Sequence, residues 1–170
     1  MNKIIEADFL PRGPNAGFSR PDSFGGWGMK EIRRILIVDN DADTTHLVKV
    51  LLERTGQYLV LEENDATKAH QSAQNFRPDL ILLDIVMPDT DGGEVAEEIE
   101  ADPELQNTPI IFLTALVTRA ETKSGLSIQG HPLLAKPVSI PELIDAIERH
   151  LPVRVTSHVS LPKERSHAHP

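Results

Sequence analysis

Leu80-Ile81-Leu82-Leu83-Asp84, running on into Ile85-Val86-Met87-Pro88-Asp89-Thr90-Asp91-Gly92-Gly93, is the stretch whose reading decides the fold of this chain. Four consecutive apolar residues without polar alternation indicate a strand covered on both faces, as the central strands of parallel sheets are. The run ends on a carboxylate. In an open α/β sheet ligands gather at the carboxyl ends of the strands, so Asp84 stands where chemistry is expected. Pro88 and the Asp91-Gly92-Gly93 turn then stop the strand and begin a new element.

Working outward, Ile35-Leu36-Ile37-Val38 is a second fully apolar strand, ending in the acidic loop Asp39-Asn40-Asp41-Ala42-Asp43. A calcium loop is excluded there, because its sixth and twelfth positions need Gly and Glu and are Thr44 and Val50. Residues Thr44 to Arg54 have helical spacing, with Leu47, Val48, Leu51 and Leu52 on the expected core face and Gly56 closing the helix. Tyr58 to Leu61 reads as a short strand, and Ala66, Ala69, Ala73 and Phe76 give the next helix a thin apolar stripe. After Gly93, Val95, Ala96 and Ile99 face the core while Glu94, Glu97, Glu98 and Glu100 face water. Ile110 to Leu113 is a buried strand followed by Thr114, and Leu133-Leu134-Ala135 is a brief one followed by Lys136-Pro137. Between them, Thr118 to Gly130 offers only Ala120, Leu126 and Ile128 as apolar anchors. Ser139-Ile140-Pro141-Glu142 fits a capping box, in which hydroxyl and carboxylate each satisfy an orphan backbone amide, and Ile140, Leu143, Ile144, Ile147 and Leu151 follow at helical spacing. Five strands alternating with five helices predict an α/β, flavodoxin-like doubly wound parallel sheet of order 2-1-3-4-5.

With 170 residues and 39 % hydrophobic content, the chain is expected to form one domain over residues 31–152. Residues 1–30, rich in Pro and Gly without periodicity, read as a disordered leader, and residues 153–170 as a disordered polar tail. His158, His167 and His169 in that tail read as solvated residues rather than metal ligands. Cysteine is absent, which excludes disulfides and thiolate chemistry and fits a reducing compartment. No signal peptide and no span of membrane length is evident, so a cytoplasmic protein without a membrane partner is expected. The net charge is −9, and over residues 30–150 acidic side chains outnumber basic ones two to one. Such a body repels phosphate backbones, which argues against nucleic acid as a partner and for a protein or a cation.

Four of the expected strands lead into functional groups: Asp39, Asp84, Thr114 and Lys136. Parallel strands all end on the same side, so residues up to 97 positions apart should meet in one crevice. Neighbouring carboxylates make a hard-oxygen site suited to Mg²⁺. With charge screened by the metal, a carboxylate can act as nucleophile toward a phosphoryl group, and Asp84 is the candidate. A lysine ammonium and a threonine hydroxyl suit the oxygens of the group so acquired.

ILIVDND, LILLDIVMPDTDG, IIFLTA and LLAKP, in that order and at these separations, make residues 33–150 resemble a response-regulator receiver domain of two-component signalling, of the single-domain type. The resemblance implies that Asp84 is the phosphoacceptor and that Asp39, Asn40, Asp84 and the backbone carbonyl of Val86 hold Mg²⁺. It further implies that Thr114 is the switch hydroxyl, that Lys136 contacts the phosphoryl group, and that the peptide before Pro137 is cis. The implied partners are a histidine kinase or phosphotransfer protein and an unknown downstream protein, with room for a homodimer, and the protein would not itself be an enzyme.

The chain departs from the family pattern at three places. Asn40 stands where the family usually has a second acidic metal ligand, which lowers the expected metal affinity unless Asp41 compensates. Leu133 replaces the aromatic residue whose swing reports phosphorylation, and the segment between Thr114 and Leu133 carries Gly125, Gly130 and Pro132. These departures motivate an alternative reading as a phosphorylation-independent, receiver-like binding module. A haloacid-dehalogenase-like phosphatase, with Asp39-Asn40-Asp41 as its nucleophile loop, would need a further acidic pair at a later strand end. The later acids Asp145 and Glu148 fall within a helical pattern instead.

Overall fold

A computed structural model of the protein describes residues 31–152 except Asp89 and Ser124, so the expected leader and tail lie outside the described residues. In chain order it runs β1 (Arg33–Val38), α1 (Ala42–Glu53), β2 (Tyr58–Glu63), a 3-10 turn (Ala66–Lys68), α2 (Ala69–Phe76), β3 (Leu80–Asp84) and α3 (Gly92–Ala101). It continues through β4 (Ile110–Thr114), α4 (Arg119–Lys123), β5 (Ser127–Ile128), β6 (His131–Ala135) and α5 (Ile140–His150). The sheet order is β2-β1-β3-β4-β6-β5. Its first five members are parallel and reproduce the expected doubly wound order, with β6 as the fifth parallel strand.

Strand alternation splits the apolar residues into two layers. Leu36, Val38, Ile81, Leu83, Phe112 and Leu133 face Ala69, Ala73, Val95, Ala96 and Ile99 of α2 and α3. Their sequence neighbours Ile35, Ile37, Leu80, Leu82, Ile111, Leu113 and Leu134 face Leu52 of α1 and Leu143, Ala146 and Ile147 of α5. Every residue of β3 and β4 is buried, which is why these strands show no polar alternation.

Three expectations need correction. The sheet has six strands among the described residues, because β5 adds an antiparallel edge to β6, pairing Ser127 with Pro132 and Ile128 with His131. The connecting turn places Gln129 at φ 52 and Gly130 at φ 87, the left-handed pair that a two-residue hairpin requires. Two-residue strands carry too little periodicity to show in sequence. In α1, Leu47 is exposed at 58 %, while Thr45 and Leu52 are buried. Thr45, Val48 and Leu52 share a face at helical spacing, and Leu47 lies about 200° from Thr45, on the opposite side. Finally, Ser139 caps α5 by backbone position, but its hydroxyl donates to Glu142 Oε2 at 3.5 Å and no side-chain cap bond forms.

Candidate functional site

The register sets the carboxyl ends of β1, β3, β4 and β6 side by side. Val38 pairs with Leu83, Asp84 with Leu113, and Thr114 with Ala135, so Asp39 and Lys136 follow directly at the same edge. Asp39 is 1 % and Asp84 5 % exposed, both surrounded by the apolar strands that deliver them. The Lys136 ammonium reaches both: Nζ lies 2.6 Å from Asp39 Oδ2 and 2.9 Å from Asp84 Oδ2. Burial alone would push the lysine pKa down. Hydrogen bonds and attraction from the two carboxylates outweigh it and hold the group above its ordinary value.

Each remaining donor and acceptor is positioned by its own loop. Asp39 Oδ1 accepts from the Asp41 amide at 2.9 Å, and the Asp39 carbonyl accepts from Asn64 Nδ2 at 2.7 Å. Asn64 also donates to the buried Thr45 hydroxyl at 3.0 Å, tying the end of β2 to α1 behind the site. Asp84 Oδ1 accepts a long bond of 3.4 Å from the Val86 amide. Thr114 is fully buried; its Oγ1 accepts from the Leu116 amide at 3.0 Å and its carbonyl from the Lys136 amide at 2.7 Å. The Lys136–Pro137 peptide is cis, and the Pro137 carbonyl accepts from Arg119 Nη2 at 2.7 Å.

The loop after β3 is held against the site by close backbone packing. Gly92 donates to the Ile85 carbonyl at 2.9 Å, and a Cβ on Gly92 would sit 2.2 Å from the Asp84 carbonyl oxygen. Only glycine fits. Beside this loop, the exposed side chains of Val86 and Leu116 flank a shallow pocket that also includes Met87, Pro88 and Glu94.

Asp39, Asp84, Thr114 and Lys136 are therefore brought to one edge as expected. Asn40, next to Asp39, is exposed, and Leu133 is 4 % exposed in the core layer that contains Phe112. Asp41 does not turn into the pocket: Oδ1 accepts from the Asp43 and Thr44 amides and Oδ2 from the Thr44 hydroxyl, which makes it the N-cap of α1. Asp145 and Glu148 lie on α5, engaged with Arg149 and Tyr58. Asn64 was not anticipated; it lies three residues beyond the apolar run Tyr58 to Leu61, directly after the end of β2. Since the Asp39 and Asp84 carboxylates converge on one ammonium, their oxygens also suit a shared hard cation, and the donor set fits Mg²⁺.

Residues 35–148 match the response regulator receiver domain family. The chain is 37 % identical over 112 residues to the phosphate regulon transcriptional regulatory protein PhoB of Pseudomonas aeruginosa, covering 66 % of this chain but 48 % of that protein, about half its length. It is 29 % identical over 119 residues to the polar-differentiation response regulator DivK of Brucella anthropi, covering 70 % of this chain and 96 % of that one. The structure is similar, at TM-score 0.59 and 29 % identity over 69 % of this chain and 96 % of the other, to the receiver domain of a sensor histidine kinase from Pseudomonas aeruginosa. That structure has a magnesium ion coordinated in its active site cleft. With the four motifs gathered at one sheet edge and the match spanning 35–148, the chain belongs to the response regulator receiver domain family of two-component signalling.

Proposed function

We propose that this receiver accepts a phosphoryl group on Asp84 from a histidine kinase or phosphotransfer protein and signals by changing a protein-binding surface. The observation that carries this reading is the placement of one ammonium, Lys136, within reach of both strand-end carboxylates. An Asp84 oxygen attacks the phosphorus of the donor, forming an O–P bond as the donor's P–N bond breaks and its electron pair returns to the imidazole. Asp39, Asp84, the Asn40 amide oxygen and the Val86 carbonyl would hold Mg²⁺, which would supply positive charge for the phosphoryl oxygens when bound. Lys136 is already beside Asp84 and gives a mobile point charge for one phosphoryl oxygen. Thr114, accepting from Leu116, keeps its hydroxyl proton to donate to another. Asp39 holds Lys136 from the far side and keeps it aimed at the acceptor. On this reading the protein is a substrate and switch, with no catalytic turnover of its own.

Incubation with Mg²⁺ and acetyl phosphate, followed by intact-mass measurement, tests the proposal. Wild type should gain one phosphoryl group and Asp84→Asn none. No gain in either, together with no binding of the beryllofluoride mimic, would leave the binding-module reading, which the core burial of Leu133 in place of an aromatic switch favours.

A further inference from the structure

The two outer strands of the sheet differ in how they meet solvent. On β2 the Val60 amide donates to Glu53 Oε1 at 3.0 Å and Glu62 holds Lys49 at 3.2 Å, so charged side chains close that edge. β5, at the other edge, has no such guard among the described residues. Pro132 has no amide to give, so the ladder bonds of the hairpin fall to Ile128 and His131, and Ser127 turns its amide and carbonyl away from β6. Leu126 and Ile128 flank it on one face of the strand, 43 % and 38 % exposed. Gln129 Nε2 donates to Glu97 Oε1 at 2.8 Å, and His131 packs edge-on against Phe112 with ring centroids 5.5 Å apart, so the hairpin is fixed in place. Residues 124–135 contain no Lys, Arg, Asp or Glu, in a chain of net charge −9.

We propose that the outer edge of β5 is a self-association surface, on which a second copy of this chain pairs its own β5 antiparallel across a two-fold axis. The edge is self-complementary. With Ser127 opposite Ser127 of the second copy, each serine gives one amide bond and accepts another on its carbonyl. Leu126 of one copy then stands opposite Ile128 of the other, at the non-hydrogen-bonded positions where side chains approach most closely. Charge selects this edge: two acidic bodies repel, and the cost is least where neither copy presents a charged side chain. A groove of about 610 Å³ beside the edge, whose lining includes Leu126, Pro132, Leu133, Leu134 and Ala146, offers further apolar surface to the second copy. β5 is an addition to the expected five-stranded sheet, so the contact belongs to this hairpin and does not rest on the phosphoryl chemistry of Asp84.

Sedimentation velocity on the full chain, over a concentration series from micromolar to millimolar, tests this with Leu126→Lys, Ile128→Glu and Ser127→Pro, and with Leu59→Lys on the β2 edge as control. Wild type and Leu59→Lys should dimerise alike. Each β5 variant should weaken the dimer at least about tenfold, since two copies of the change enter one symmetric contact. Leu126 and Ile128 are exposed, so the charged variants leave the core intact, and thermal melts identify any variant that fails to fold. Mixing tests the register: Leu126→Lys with Ile128→Glu places the new charges opposite each other, so the mixture should regain a dimer that neither variant forms alone, which an unfolded variant could not do. A wild type that stays monomeric through the series, loss of the dimer in Leu59→Lys but not in the β5 variants, or no recovery on mixing overturns the proposal. So does a monomer whose Ser127 amide resists hydrogen exchange, since that assigns the edge to a segment of the same chain.

Discussion

Lys136 Nζ lies 2.6 Å from Asp39 Oδ2, a contact between the first and last parallel strand ends of the site across 97 positions of sequence. The Lys136 side chain is about a quarter exposed, whereas that of Asp39 is 1 % exposed. Removing the cation leaves two buried carboxylates without it, so Lys136→Met should lower stability by about 2–4 kcal/mol in urea unfolding. Saturating Mg²⁺ should recover part of that loss, and should raise the melting temperature more in the variant than in wild type. Equal Mg²⁺ increments in the two proteins would contradict a shared cation position.

Gly92→Ala tests the packing of the loop that follows Asp84. The added methyl would meet the backbone of Asp84 and Ile85 at 2.2–3.0 Å, and backbone cannot yield as a flexible side chain does. A loss of about 1–3 kcal/mol is expected from overpacking. Because the displaced atoms include the Asp84 carbonyl, phosphoryl uptake should fall as well; unchanged uptake in a destabilised protein would show that loop and acceptor are uncoupled.

Asp41→Ala should lower the melting temperature through the lost helix cap. The Thr44 hydroxyl, followed by the Thr44 and Asp43 amides, holds the Asp41 carboxyl below its ordinary value. A carboxylate whose pKa is depressed on folding contributes stability above its unfolded pKa and loses it as pH falls through the folded one. Stability measured from pH 7 down to pH 3 should therefore decline less steeply in Asp41→Ala than in wild type.

Alkaline titration offers an optical check on α5 docking. Tyr58 is the one tyrosine of the chain, and burial, then its hydrogen bond to Glu148, raises its pKa far above the ordinary phenol value. Tyrosinate absorbance should stay low through pH 11 and rise only with unfolding. The sign for stability is opposite to that of Asp41: the unfolded phenol ionises first, near pH 10, so stability is lost as pH climbs beyond it, and the raised Lys136 adds to the same loss. Absorbance climbing near pH 10 with the fold intact would place Tyr58 in water.

Much of this was written in the linear pattern. Runs such as Leu80 to Leu83 and Ile110 to Leu113 are apolar on both sides because helices cover both faces of the sheet, and that alone implies parallel strands whose ends meet. Asp39, Asp84, Thr114 and Lys136 were legible for the same reason: strand direction brings their positions together whatever the loops do. What the chain order left open was the destination of polar side chains whose partners are local. Asp41 turns back to cap α1 because three nearby donors outcompete the pocket, and Asn64 turns toward Asp39 and Thr45. Leu47 faces outward because helical phase is set by which neighbours dock, and β5 forms because Gln129 and Gly130 accept left-handed backbone next to an unpaired edge. Apolar periodicity is a long-range average that sequence carries well, whereas a single hydrogen bond or a two-residue hairpin is decided only when tertiary contacts choose among nearly equal local alternatives.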